Sequence, residues 1–377
     1  MDKFYRPTYV EIDLDRVRNN IRLIKESFQV PVMPVVKANA YGHGDIRVAE
    51  ILQQEDVDML GVATIEEGIR LRENRINLPI LILGSIYPLD NFRIVMDYGL
   101  TPVISSSIAG IELGKISSKT GKKVKYHLKV DTGMSRIGMS PDSAIRLIEK
   151  LEKLQVMECE GIFTHLANAE ENPVFTAEQL SGLKAVVDNI PVIPRYIHAA
   201  NTAGMFNYSQ SLFTLVRPGL AVYGMTPSGI EYDSMKLEPV LSWRSKVVFI
   251  KSVSKGTPVS YGSTWVAPSD SKLATICVGY ADGYRRSLSN IAKVIIRGKR
   301  CPVVGSVCMD MIMVDVTDVP GADLGDDVIL IGCAENGESI AIEEMAGLAN
   351  TINYEIATGI SGRVPRFFLK NAGLVDE

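Results

Sequence analysis

Short apolar runs alternate with longer amphipathic stretches over the first two thirds of the chain. Eight of the apolar runs have the length and residue types of buried strands, and the stretches between them have helical periodicity. This alternation predicts a closed parallel (β/α)8 barrel of the TIM type, although an open doubly wound sheet would show the same alternation. The predicted strands are 33–36, 59–63, 80–83, 102–104, 125–130, 161–164, 196–198 and either 215–216 or 221–223, and the clearest predicted helices are 14–27, 65–73, 140–151 and 176–189.

The last third of the chain, after residue 238, has a different pattern. Runs rich in Val and Ile, separated by Gly, Pro and Asp turns, predict strands at 240–254, 272–278, 294–296, 313–316 and 327–331, with one clear helix at 340–350. We therefore predict an α/β barrel domain over residues 1–237 and a mainly β domain over residues 238–377. The polar stretch 226–237 is the expected joint.

The charge and the cysteine and histidine content exclude several classes of function. Lys and Arg total 40 and Asp and Glu total 44, a formal net charge of −4, whereas a nucleic-acid-binding protein usually shows a basic excess. No apolar run reaches the roughly 18 residues of a membrane-spanning helix, and the N-terminus is charged where a signal peptide is apolar. The five cysteines and four histidines are scattered. We expect a cytoplasmic protein with no nucleic-acid partner, no membrane association and no metal site.

The segment VVKANAYGHG, residues 35–44, carries the most informative candidate for chemistry. Lys37 directly follows the first predicted strand, at the end that faces the active site in a parallel barrel. Burial and neighbouring cations lower the pKa of such a lysine, which suits it to form a Schiff base. The alternative is a strand-end lysine whose ammonium group reaches solvent. The following AYGHG favours a ligand site, because small residues let backbone and hydroxyl groups approach a cofactor.

This segment resembles the lysine motif that binds pyridoxal 5′-phosphate (PLP) in bacterial alanine racemases. Further matches follow in the family's order along nearly the whole chain, and their joint order is highly specific. They are KVDTGMSRIGM (129–139), THLA (164–167), HAANTAG (198–204), VRPGLAVYG (216–224), SYGSTW (260–265), GYADGYRR (279–286), CMDM (308–311) and NYE (353–355). The resemblance implies a PLP-binding barrel, a C-terminal β domain and a head-to-tail homodimer with active sites at the subunit interface.

The resemblance also implies two catalytic bases. Racemisation removes a proton from one face of Cα and returns it on the other, so a base must stand on each side. Lys37 matches the lysine that binds PLP and acts as one base. Tyr261 matches the second base, which the partner subunit contributes. Without the resemblance, the sequence predicts that Tyr261 lies in a β turn and packs its ring against neighbouring residues.

Several further residues match positions that contact the cofactor. Arg217 matches the arginine at the pyridine nitrogen; because arginine stays protonated, it does not leave a proton on that nitrogen as a carboxylate would. His165 matches the residue that links this arginine to the tyrosine base. The phosphate-binding groups implied are Tyr41, Asn201, Thr202, Gly219 and Tyr354, and the run from Asn201 also predicts a helix N-terminus. Thr202 stands where the family commonly has serine, which supplies the same hydroxyl.

The remaining matches concern the substrate. Arg136 and the backbone N–H of Met309 match contacts to the substrate carboxylate, and Arg136 also touches the cofactor. Cys308 reads as pocket wall, and Tyr280 with Tyr354 matches a narrow inner gate. Lys129 matches a position that is carbamylated in some relatives. At the substrate entry the chain departs from the family, with Ser306 where many relatives have arginine and Glu170 near a usual aspartate.

The function that these matches imply is PLP-dependent interconversion of L-alanine and D-alanine, which supplies D-alanine for peptidoglycan. A serine or broad-specificity racemase on the same fold is the alternative. An amino-acid decarboxylase would place a carboxylate, not Arg217, against the ring nitrogen. A non-catalytic PLP-binding protein usually lacks a β domain, whereas this chain continues well beyond its predicted barrel.

Overall fold

The structure is a computed structural model that describes residues 5–227, 235–371 and 373–375. The helices are Leu14–Phe28, Asp45–Gln54, Ile65–Glu73, Phe92–Asp97, Ser107–Thr120, Pro141–Leu151, Pro173–Val187, Thr202–Asn207, Ile342–Leu348 and Asn353–Gly359. Among these described residues, no helix has the length and apolar character needed to cross a membrane.

The first two thirds of the chain form a parallel sheet with helices between its strands. The strands follow each other in sequence order: Leu60–Val62, Ile80–Ile82, Thr101–Ile104, Val124–Lys129, Met157–Phe163 and Tyr196–His198. Six of the predicted strands are thus confirmed, with ends shifted by a few residues. A capping box of Thr64 and Glu67 begins the helix Ile65–Glu73, and the side chain of Asp13 caps the helix Leu14–Phe28.

Two short segments that form bridges rather than full strands close this sheet into a barrel. Val32 pairs with Val216 and Val35 pairs with Gly61, both in parallel orientation. The N–H of Arg217 then donates a 3.0 Å hydrogen bond to the carbonyl of Ala200, just beyond the last strand. The ladder therefore runs around a full circle, which excludes the open doubly wound sheet. A cluster of buried side chains occupies the barrel: Met33, Met59, Leu81, Val103, Phe163, Tyr196 and Leu215.

The second unit is a β-rich sheet built around the long strand Leu241–Val253. Its burial alternates residue by residue over the first half of that strand, as expected for a sheet with one face in the core. The other strands are Ser271–Ile276, Lys293–Ile296, Lys299–Pro302, Ile312–Asp315, Asp327–Cys333, Ser339–Ile340, Arg366–Lys370 and Gly373–Val375, and a separate hairpin pairs Pro258–Val259 with Trp265–Val266. The mainly β character predicted for the C-terminal third is confirmed.

The first strand of the chain, Tyr9–Asp13, belongs to this second sheet and not to the barrel. It lies parallel to Arg366–Lys370 and antiparallel to Leu241–Val253. From this strand the chain enters the barrel through the helix Leu14–Phe28. Sequence patterning did not identify this strand, because its pairing partners lie more than 200 residues away.

Three further details differ from the sequence expectations. Residues 221–223, one of two candidates for the eighth barrel strand, lie in the 3-10 turn Leu220–Tyr223, and the alternative at 215–216 provides the barrel bridge. The β-rich unit contains a second helix, Asn353–Gly359, besides the predicted one. The predicted joint at 226–237 falls largely on residues 228–234, which lie outside the described part of the chain.

Candidate active site

A cavity lies at the carboxyl ends of the barrel strands, where catalytic groups collect in barrels of this kind. Its described lining residues include four cations and no carboxylate, so the cavity favours an anionic ligand. Every residue that the sequence assigned to the cofactor lines it, together with Lys129. The lining residues are Val35, Lys37, Tyr41, Leu83, Lys129, Arg136, Phe163, His165, Asn201, Thr202, Arg217, Gly219, Leu220 and Tyr354.

Lys37 enters the cavity from a turn with unusual backbone geometry. The barrel segment before it is held by a 2.8 Å hydrogen bond from the N–H of Val36 to the carbonyl of Gly61. The residues from Ala38 to Tyr41 then all have φ between 52° and 55°, a left-handed conformation that costs non-glycine residues roughly 1–2 kcal/mol each. This turn directs both Lys37 and Tyr41 toward the same cavity.

Side-chain hydrogen bonds stabilise this left-handed turn. Nδ1 of the fully buried His43 lies 3.1 Å from the carbonyl oxygen of Ala40 and 2.9 Å from that of Tyr41. The N–H of Ala38 donates a 2.7 Å hydrogen bond to Glu67, and the side-chain oxygen of Asn39 accepts one from the next helix. The polar residues of the KANAYGHG segment, together with Glu67, thus stabilise a left-handed backbone conformation that L-residues otherwise avoid.

The two lysines of the cavity are both shifted toward their neutral forms. Burial, with the positive charges of Arg136 and Arg217, lowers the pKa of Lys37 below its ordinary value, although Glu67 opposes this shift. Burial and the same two arginines lower the pKa of Lys129 to about 8. A neutral amine is both the nucleophile for a carbonyl group and a proton acceptor. The lowering of the Lys37 pKa agrees with the prediction made from its place after the first barrel segment.

Arg217 is buried beneath the cavity and held on two edges. Its Nη2 donates 2.9 Å hydrogen bonds to the carbonyls of Thr164 and Ala199, and lies 3.3 Å from Nδ1 of His165. Its Nη1 lies 2.9 Å from Nδ1 of His198. Burial, followed by the charge of Arg217, lowers the pKa of His165 well below its ordinary value, so this histidine is neutral.

The opposite end of the cavity is built from hydroxyl groups and backbone. The hydroxyl of Thr202 accepts hydrogen bonds of 3.2 and 3.4 Å from the N–H groups of Gly219 and Ala221. The rings of Tyr41 and Tyr354 lie 5.8 Å apart, centre to centre. Thr202 begins the short helix Thr202–Asn207, as predicted, and the side chain of Asn201 caps it.

These groups suit a ligand with the chemistry of PLP. Lys37 offers an amine to its aldehyde, and the cationic lining offsets the charge of its phosphate. At Gly219 a β-carbon would stand 2.6 Å from the Tyr41 hydroxyl oxygen, so only glycine leaves room for that hydroxyl at this end of the cavity. The residues present therefore fit the cofactor that the sequence resemblance implies.

Four of the residues predicted from the sequence lie outside this cavity: Tyr261, Tyr280, Cys308 and Met309. They lie together in the β-rich unit, and we call this group of four residues the tyrosine surface. The N–H of Tyr280 donates a 3.0 Å hydrogen bond to the carbonyl of Cys308, and Ser306 joins Tyr261 by a 2.8 Å hydrogen bond to its carbonyl. Tyr261 is 75% exposed and Met309 is 52% exposed. Ser306, one of two entry residues that depart from the family, is buried here, whereas Glu170 is exposed on the barrel.

Sequence reasoning missed other residues of the site. Phe163 lines the cavity, with the charged groups of Lys129 and Arg217 each 5.3 Å from its ring centre. Its other neighbour is His198, whose ring stacks on Phe163 at 4.6 Å. His198 belongs to the HAANTAG motif, but its contact with Arg217 joins two barrel segments, so no local sequence pattern predicts it.

Comparisons with known proteins agree with this geometry. The family model "Alanine racemase, N-terminal domain" matches residues 12–227, and "Alanine racemase, C-terminal domain" matches residues 240–368. The alanine racemase of Symbiobacterium thermophilum is 45% identical over 370 residues, covering 96% of this chain and 97% of the relative.

Solved structures match the whole fold. That of the alanine racemase of Clostridium difficile 630 has a TM-score of 0.91 and 36% identity, covering 99% of this chain and 98% of its own. That of the alanine racemase of Bartonella henselae, described with covalently bound pyridoxal phosphate, has a TM-score of 0.88 and 32% identity, covering 96% and 99%. With both family models matched and relatives aligned over nearly its full length, the chain belongs to the alanine racemase family.

Proposed function

We propose that the protein interconverts L-alanine and D-alanine with PLP as cofactor, in a homodimer in which each site takes one base from each subunit. The observation that carries this proposal is Lys37, a half-buried amine of lowered pKa in a cavity lined by basic residues. Membership of the alanine racemase family supports the substrate, and the relative with covalently bound pyridoxal phosphate supports the cofactor. The proposed domains are the barrel over residues 1–237, except for the strand Tyr9–Asp13 that pairs in the second sheet, and the β domain over residues 238–377.

The cofactor would be held by the groups that line the cavity. Lys37 would bond to it covalently, and Arg217 would contact its ring nitrogen. Tyr41, Thr202, the backbone at Gly219 and Tyr354 would bind its phosphate, and Asn201 caps the helix that carries Thr202. When bound, PLP supplies an electron sink that stabilises negative charge on the substrate's Cα. Arg217 donates hydrogen bonds and accepts none, so it would leave the ring nitrogen without a proton.

The chain's own residues then move the α-proton. The amine of Lys37 takes or returns it on one face of the substrate, and its lowered pKa favours the neutral form that accepts a proton. The phenol of Tyr261 from the partner subunit does the same on the opposite face. Nδ1 of the neutral His165 lies 3.3 Å from Nη2 of Arg217, and this histidine would link Arg217 to the tyrosine.

The exposure of the tyrosine surface supports assembly with a second copy. Tyr261 is 75% exposed, Tyr280 43%, Met309 52% and Met311 47%, which is unusual for large side chains in one neighbourhood. A partner whose cavity covers this surface would bury it and bring Tyr261 opposite Lys37. Each subunit would therefore complete the site of the other.

Substrate choice would rest on charge and on size. Arg136 and the backbone N–H of the partner's Met309 bind the carboxylate, and the amine reaches the cofactor. Tyr354 and the partner's Tyr280 narrow the space around the side chain, with the partner's Cys308 as wall, so a methyl group fits and larger groups are disfavoured. The D-alanine formed would serve peptidoglycan synthesis in the cytoplasm.

The first experiment is incubation of the PLP-loaded protein with L-alanine in D2O. We expect the optical rotation to fall to zero while deuterium replaces the α-proton, since both bases exchange protons with solvent. Exchange without loss of rotation would mean that only one base works and would remove Tyr261 from its role. Absence of exchange with alanine, but exchange with L-serine, would replace alanine by serine as the substrate. The Lys37→Ala variant is the control, and it should lose the visible absorbance of lysine-bound PLP.

A further inference from the structure

A series of buried polar side chains leads from Arg217 away from the cavity, through the interior of the barrel. Nη1 of Arg217 lies 2.9 Å from Nδ1 of His198, and Nε2 of His198 lies 2.9 Å from Nδ1 of His127. Nε2 of His127 faces Glu160 Oε2 at 3.8 Å, and Glu160 Oε1 accepts a 2.6 Å hydrogen bond from Lys125. Both histidines are fully buried, and Glu160 is only 7% exposed. The proton transfer described above uses none of these last four residues.

The chemistry of arginine gives this series a direction. A guanidinium can only donate, so Nδ1 of His198 must present its lone pair to Arg217. Burial, followed by the charge of Arg217, lowers the pKa of His198 well below its ordinary value, and burial also lowers that of His127. Neutral His198 therefore carries its proton on Nε2 and donates to Nδ1 of His127. By the same reasoning, the proton of His127 is on Nε2, on the side of the Glu160 carboxylate.

The carboxylate at the end of the series is held in its charged form. Burial opposes ionisation of Glu160, but His127 and Lys125 together outweigh it and lower the pKa of Glu160 to about 2. Lys125 is half exposed, so the series ends at an ion pair at the margin of the barrel. The carboxylate polarises the two histidines, and this makes His198 a better acceptor for Arg217.

The backbone is shaped to accommodate these side chains. Lys125, His127 and Lys129 alternate along the strand Val124–Lys129, so their side chains share one face. The register with the neighbouring strand shifts beside His127, which leaves Glu160 as an extra residue between paired positions. At the next residue, Gly161, an added β-carbon would stand 2.4 Å from Nδ1 of His127. The glycine is therefore required for the position of that ring.

We propose that His127 and Glu160 are positioning residues that act through His198 on Arg217. The two histidines form a one-way series of hydrogen-bond acceptors that fixes the orientation of the guanidinium, and the charge of the Glu160 carboxylate, 3.8 Å from Nε2 of His127, keeps the His127 proton on that nitrogen. The carbonyls of Thr164 and Ala199 hold Nη2, and the series holds Nη1, so the guanidinium plane is defined on two edges. The consequence for catalysis rests on the proposed function, in which Arg217 faces the cofactor's ring nitrogen. The hydrogen-bond series itself does not depend on it.

The first test reads the proton positions by NMR. The chain has four histidines, so ring-15N-labelled holoenzyme gives a spectrum that single variants can assign. We expect His127 and His198 to be neutral with the proton on Nε2. His43 is the internal reference with the opposite tautomer, because its Nδ1 faces two carbonyl oxygens, which only accept. A proton on Nδ1 of His198 would overturn the proposal whether or not the enzyme racemises alanine.

The second test removes the acceptor from the middle of the series. His127→Phe keeps a ring in the same place but leaves Nε2–H of His198 without its partner. We expect kcat to fall about tenfold or more, since small misplacement of a catalytic group is costly, with KM changed less than kcat. The ring nitrogen signals of His198 should shift in the same variant. Gly161→Ala, which displaces the His127 ring, should produce the same two changes, and Glu160→Gln, which keeps an acceptor oxygen, should be milder than Glu160→Leu.

The matched control is Tyr126→Phe, which changes a buried polar residue on the same strand outside the series. We expect its kcat and its His198 signals to equal those of the wild type. Unchanged kcat and unchanged His198 signals in folded His127→Phe would overturn the positioning role. A wild-type enzyme inactive on alanine but with the expected tautomers would instead overturn the proposed substrate and leave the hydrogen-bond series intact.

Discussion

Gly219 and Tyr41 are in such close contact that a β-carbon on residue 219 would stand 2.6 Å from the tyrosine's hydroxyl oxygen. Tyr41 is buried, with its ring also 5.1 Å from that of Tyr223, so it has little freedom to move aside. The Tyr41 hydroxyl, which is proposed to bind phosphate, can therefore occupy this position only because Gly219 has no side chain.

Gly219→Ala should weaken cofactor binding. The added methyl group cannot coexist with the Tyr41 hydroxyl in its present place, so the two segments must shift apart. Loss of one hydrogen bond to a charged group costs about 1.5–3 kcal/mol, or roughly tenfold to a hundredfold in affinity. Titration of the apoprotein with PLP, followed by absorbance, measures the change. Gly347→Ala is the control, because a β-carbon there meets no atom within 4 Å. Wild-type affinity in Gly219→Ala would show that Tyr41 does not bind the phosphate.

Lys129 should make stability depend on pH in the alkaline range. Its pKa is lowered to about 8 in the folded protein by burial and by Arg217 and Arg136, against about 10.4 in an unfolded chain. Between these values the unfolded state binds more protons, so the contribution of Lys129 to the free energy of unfolding rises with pH. The full contribution is about 3 kcal/mol at 1.36 kcal/mol per pKa unit.

Urea unfolding of the wild type and of Lys129→Met from pH 7 to pH 10.5 isolates this contribution. Relative to the wild type, the variant should be most stable below pH 8 and should lose that advantage as the pH rises. A difference that does not change with pH would mean that the amine does not titrate. Mass spectrometry of the native protein would then show whether Lys129 carries an added carbon dioxide.

Mixed dimers should regain activity if each site takes Lys37 from one subunit and Tyr261 from the other. Lys37→Ala and Tyr261→Phe are each expected to be nearly inactive. Refolding equal amounts together gives mixed dimers, in which one site has both native residues and the other has neither. The recovered activity should approach about a quarter of the wild type for random pairing. No recovery, with dimers formed, would mean that both bases come from one subunit.

Arg6→Met should destabilise the protein through a buried carboxylate. Arg6 donates two hydrogen bonds, of 2.7 and 2.9 Å, to the fully buried Asp282, two residues after Tyr280. Removing one member of such a pair typically costs 3–5 kcal/mol, but Arg363 at 3.5 Å remains and should reduce the cost to about 2–3 kcal/mol.

Urea unfolding checks this cost. The matched control is Lys115→Met, which breaks the exposed pair with Glu112 and should cost less than about 1 kcal/mol. Equal stability of Arg6→Met and wild type would show that Arg363 alone compensates Asp282. Because Asp282 accepts a hydrogen bond from the N–H of Gly279, the same variant should also loosen the turn that carries Tyr280.

Local patterns were sufficient for much of the site. Lys37 follows an apolar run that ends in glycine-rich polar residues, and that order predicted its place at the mouth of the barrel. The motif matches identified the other cavity residues, such as Arg217 and Thr202. Each of these residues lies in a short motif that follows a strand and occurs in the family's order. Periodicity alone, however, did not distinguish a closed barrel from an open sheet.

The tertiary structure decided the features that depend on distant pairing. The bridges of Val32 and Val35 close the barrel, and the strand Tyr9–Asp13 joins the second sheet, through partners that no local pattern specifies. The contact of Arg217 with His198 and the exposure of Tyr261 likewise depend on how whole segments pack. Most of the secondary structure and the types of candidate catalytic groups depend on neighbours along the chain, and the sequence alone determined them. Closure, hydrogen-bond direction and the position of each base depend on residues that only folding brings together.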